Sequence, residues 1–147
     1  MADSDDPVAR LNELTKGIEF AMLTTVRPNG SLHSCPMATR KAEGDGVLWL
    51  LSDNTTEKVQ AIKSDPRVNL AYSDLLGQRY VSVTGRSELV RDHVKTNQLW
   101  NPLYTEWFPN GLADPNLILL KVHILGAEYW DGSAGRMLPL AGFATQP

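Results

Sequence analysis

The chain has 147 residues, of which 42% are apolar and 21% charged, and its formal net charge is -3. Those values describe one ordinary folded domain and exclude a broad basic face of the kind that holds nucleic acid. A single cysteine, Cys35, excludes an internal disulfide and a Cys-rich zinc site.

The opening MADSDD, residues 1–6, reads as a mobile acidic tail. Asp6 can cap a helix that carries Pro7 at its first position, and Val8, Leu11, Leu14 and Ile18 give that helix an apolar stripe. FAMLTTV is rich in β-formers, and Asn29-Gly30 then predicts a hairpin that returns along LHSCPMATR. Pro36 within the return strand predicts an edge position or a bulge, because proline cannot donate to a ladder. Beyond the turn at Gly44–Gly46, VLWLLS is a third strand, and TEKVQAIKS is a short helix that stops before Pro66. VNLAYSD and RYVSVTGRSELV are strands four and five, with Val81 and Val83 facing opposite to Tyr80, Ser82 and Thr84. HVKTNQLW reads as helix. NPLYTEWFPNGLADPN, residues 101–116, is a long proline-rich loop bearing Tyr104, Trp107 and Phe108. LILLKVHILGAEYW is the last strand, followed by a glycine-rich tail.

Six hairpin-joined strands with a few short helices predict a mainly β, antiparallel barrel over a single domain of residues 1–147. VLWLL and LILL are apolar on both faces, so something must cover the outer one, and a second subunit is the economical choice. These runs are too short to cross a bilayer and no secretory leader pattern opens the chain, so a cytoplasmic protein with no membrane partner is expected.

Chemistry-bearing residues are few. Thr55 or Thr56 can simply cap the helix after VLWLLS, or Thr56 and Lys58 can form a phosphate cradle at its N-terminus. Arg40 is either solvated or a second cation for the same site. Met37, Trp49 and the loop aromatics are either core or the wall of a pocket for a flat ring, and Trp107-Phe108 either a dimer contact or part of that wall. His33, His93 and His123 show no metal-ligand spacing, so no metal is expected. Neither a Walker loop nor a GxGxxG after a strand is present.

The order NGSLHSCPMATR, GVLWLLSDNTTEKVQAIKSDPRVNLAYSD, YVSVTGRSELVRD, LWNPLYTEWFPNGLADPNLILLKV, AEYWDG resembles the pyridoxamine 5′-phosphate oxidase-like flavin split-barrel family, in its bacterial general-stress branch. The resemblance implies a six-stranded split barrel that dimerises with itself and holds FMN, with FAD as the alternative, at the subunit interface. It places Thr56 and Lys58 at the flavin phosphate, and Cys35, Pro36 and Met37 on the strand-two element, with Arg40 following. It sets Leu51 and Ser52 against the flavin ring, with Trp107 and Trp130 approaching the site. Cys35 stands where the family commonly has arginine, which removes one cationic contact. The arginine-rich carboxy-terminal signature of the true oxidases has no counterpart in GSAGRMLPLAGFATQP. Three functions stay open: a reductase with a nicotinamide donor, a flavin-binding or sensing module without turnover, and a relative that binds haem, a deazaflavin or no cofactor.

Overall fold

The computed structural model describes residues 6–143, so most of the expected acidic tail lies outside the described residues. Helix α1 (Pro7–Thr15) begins as its sequence dictates: the Asp6 carboxylate accepts from the Val8 amide at 3.0 Å, and Pro7 occupies the first turn. Val8 and Leu11 are its buried residues.

Strands β1 (Phe20–Val26) and β2 (Leu32–Ala38) form the expected hairpin, with Phe20 opposite Ala38 and Val26 opposite Leu32. Gly30 takes φ +85°, a left-handed conformation that glycine adopts at little steric cost. β3 (Val47–Asp53), α2 (Glu57–Ser64), β4 (Arg67–Asp74), β5 (Arg79–Val90), α3 (His93–Leu99) and β6 (Leu117–Asp131) follow. Within the proline-rich loop, Pro102–Glu106 and Gly111–Ala113 form single 3-10 turns. A short seventh strand, β7 (Arg136–Pro139), stands where the sequence promised only a tail.

All strand pairs are antiparallel, in the order β2-β1-β4-β5-β6-β3. β7 and β3 lie along the same side of β6, on Glu128–Asp131 and Leu117–His123 respectively. The ladder shifts register at Thr84–Gly85; a Cβ on Gly85 would come within 2.8 Å of the His123 carbonyl oxygen, which makes glycine the residue that fits.

The sheet curls around Leu23, Leu50, Leu70, Val83 and Leu120, and α1 and α2 add Leu11 and Val59 to the same core. Val81 and Val83 point inward, as their alternation requires. β2 and β3 end the strand order and do not pair with each other, so the barrel is split between them, and Pro36 lies in an edge strand. The outer faces of β3 and β6 are covered in part by α3. Leu99 of α3 packs with Val47, Trp49 and Leu119, so part of this apolar surface is buried within the chain itself. No helix among the described residues is long and apolar enough to cross a membrane.

Candidate functional site

The split between β2 and β3 opens into a cavity of about 550 Å³. Met37 of β2 faces Trp49, Leu51 and Ser52 of β3 across it, and Thr56 and Lys58 stand at the start of α2. Arg40 and Trp107 also reach the wall. Eight of the ten sequence-selected residues therefore converge on one place: Met37, Arg40, Trp49, Leu51, Ser52, Thr56, Lys58 and Trp107. Cys35 and Trp130 are not in the wall. Cys35 packs against the main core, and Trp130 lies on β6 opposite Met137 of β7.

Ser52 is the unusual member. It is 3% exposed, and its hydroxyl alone among the buried side-chain polar atoms of the described residues has no hydrogen-bond partner. A buried hydroxyl left unpaired costs about 1–3 kcal/mol, so a partner supplied by a ligand would relieve it.

The α2 terminus answers whether the threonines are only caps. Thr56 occupies the cap position, but its side chain makes no capping bond; its hydroxyl instead donates to the Asp53 carbonyl at 2.7 Å. Asp53 lies in the cavity wall, and its carboxylate accepts from the Thr55 amide and hydroxyl at 2.7 and 2.6 Å. Those bonds hold its pKa below the ordinary value, with the Lys58 charge as a smaller cause. Glu57, whose charge would oppose an anion, is paired with Arg27 instead. Lys58 makes no ion pair among the described residues. One uncommitted ammonium thus stands at a helix N-terminus with its positive dipole end.

The other wall is aromatic. Phe20 meets Trp107 edge-on at 6.1 Å between centroids, Tyr104 lies 6.1 Å from Trp107, and Trp100 meets Tyr104 edge-on at 5.7 Å. Arg40 ties this loop to α3 by donating to the Leu99 carbonyl at 2.9 Å and the Tyr104 hydroxyl at 3.3 Å. Trp107 remains 51% exposed, so the aromatic wall is open to solvent on one side. Phe20, Asp53 and Leu99 also line the cavity, and sequence reasoning did not single them out. Phe20 was within reach, since the Asn29-Gly30 hairpin sets it opposite Ala38, two residues from Arg40. Nothing local marked Leu99.

A largely apolar cavity whose wall also carries Lys58 and an unpaired buried hydroxyl suits a planar ring joined to an anion. Among the described residues, no group of three metal-ligating side chains is assembled.

The family model described as "Pyridoxamine 5'-phosphate oxidase like" matches residues 6–146. Protein bli-3 of Neurospora crassa is 27% identical over 135 residues, a match that covers 85% of this chain. The chain spans 65% of the length of that curated relative. The structure of general stress protein 26 from Bacillus anthracis superposes with a TM-score of 0.75 at 26% identity, covering 90% of this chain and 98% of that one. The general stress FMN/FAD-binding protein of Xanthomonas citri shares the fold, with a TM-score of 0.70, 24% identity, and coverage of 94% and 95%.

Proposed function

The chain belongs to the pyridoxamine 5′-phosphate oxidase-like family, and from that membership we propose a cytoplasmic flavoprotein of the general-stress type, acting as a homodimer that binds FMN. The observation that carries this reading is the unpaired hydroxyl of Ser52, buried in the wall of a cavity that also presents the uncommitted Lys58. Lys58 and the first amides of α2 would hold the phosphate, and Leu51, Ser52 and Met37 would border the ring. The exposed Trp107 and Phe20, at 51% and 48%, leave the open side of the cavity for a second subunit to close. FAD is the alternative cofactor.

A bound flavin would supply hydride or single-electron chemistry, and the chain would supply binding and orientation. Asp53 is the one carboxylate in the cavity wall among the described residues, and Thr55 holds it ionised. No acid in the wall is tuned for proton transfer, which favours either direct hydride exchange with a nicotinamide donor or a binding module without turnover. Bleaching of the flavin by NADH or NADPH under anaerobic conditions supports the first, and a flavin that stays oxidised with both supports the second.

The phosphate assignment is tested by Lys58→Ala. FMN affinity is expected to fall by about 1.5–3 kcal/mol, the size of a charge-assisted bond, and riboflavin affinity much less. Equal losses for the two ligands would remove Lys58 from the phosphate site.

A further inference from the structure

A second cavity, of about 420 Å³, shares Arg40, Trp49 and Leu99 with the first and adds Lys41, Glu43, Lys95 and Gln98. Three cations meet one carboxylate there, and that carboxylate is spent. Glu43 accepts from Lys95 Nζ at 2.5 Å through one oxygen and from Trp49 Nε1 at 3.1 Å through the other. Lys95 is also held 5.1 Å above the centre of the Trp49 ring, which fixes its charge at the shared wall. Lys41 is exposed and forms no ion pair among the described residues. Arg40 uses Nη1 alone for its two bonds to the α3 end and the loop, leaving its other guanidinium donors without a described partner. The recess therefore carries an excess of two positive charges on a chain whose net charge is -3. Such a local reversal of sign draws small anions to one place.

We propose that this recess binds the carboxylate or phosphate group of a second small ligand, whose remainder extends past Arg40 and Trp49 toward the flavin cavity. What the ligand meets there rests on the flavin reading, whereas the anion site stands on the recess's own residues. Lys41 and Arg40 supply the free charge, Gln98 a neutral amide, and the Glu43–Lys95 pair the fixed floor.

Calorimetric titration of the FMN-loaded protein with inorganic pyrophosphate and, separately, with succinate tests the site and separates phosphate from carboxylate. Saturable binding of at least one anion is expected. Lys41→Glu should weaken it at least about tenfold, the size of a lost charge-assisted contact, and leave FMN affinity unchanged. Lys58→Ala should leave the anion affinity unchanged. Absence of saturable binding by both anions, undiminished binding in Lys41→Glu, or loss in Lys58→Ala alone would overturn the proposal. Failure of the flavin reading shows separately, as a protein that takes up no FMN. The same titrations on that protein, Lys41→Glu against Lys58→Ala, still decide the recess.

Discussion

At the scale of single residues, Ser52 makes the sharpest demand. Its hydroxyl is buried and unpaired, a position at odds with stability but consistent with a ligand contact. Ser52→Ala removes the unsatisfied group, so the flavin-free protein should gain about 1 kcal/mol while flavin affinity falls. Thermal unfolding and a flavin titration read the two effects. A variant that loses stability and keeps its flavin affinity would place the hydroxyl in the service of the core. Cys35 gives the complementary case. Burial pushes its thiol pKa up, and the nearby Lys58 charge offsets part of that rise. It is a neutral group packed against the core and contributes no charge.

At the scale of elements, α3 covers part of the apolar face that the sequence left for a partner subunit. Leu99 covers the outer faces of Val47 and Trp49, and Lys95 pins the helix to Glu43 in the segment before β3. The Lys95 hydrogen bond is the main cause that holds Glu43 below its ordinary value of 4.5. A carboxylate depressed in this way stabilises the fold above its unfolded pKa, and that contribution is lost as pH falls through the folded one. The Tm should therefore drop on acidification below about pH 4.5, and drop less in Glu43→Gln than in the unchanged chain. Equal drops would show that the pin adds nothing. The contrast with the hairpin elements explains what was legible. The β1–β2 turn, the inward Val81 and Val83, and the edge position of Pro36 follow from local chemistry, namely a left-handed glycine, a period of two and a missing donor. β7 was missed because four residues, Arg136–Pro139, become a strand only by pairing with β6. The placement of Leu99 depends on how α3 folds back over β3, a long-range packing outcome with no mark in HVKTNQLW.

At the scale of the whole molecule, the seven-stranded antiparallel sheet leaves β2 and β3, the ends of its main strand order, facing each other without pairing. The cavity fills that split, which is why residues far apart in sequence, such as Met37, Ser52 and Trp107, share it. The grouping of the wall residues was legible because the resemblance concerns the order of segments along the chain. The second cavity was not, because Lys41, Glu43 and Lys95 meet only when α3 folds back on the segment before β3. Whether the split holds a planar anionic cofactor is read from the visible absorption spectrum of the freshly purified protein, with the released cofactor identified by chromatography. A flavin spectrum and release of FMN are expected. A colourless protein that also fails to take up added FMN would contradict flavin binding in the split and leave the fold without its proposed function.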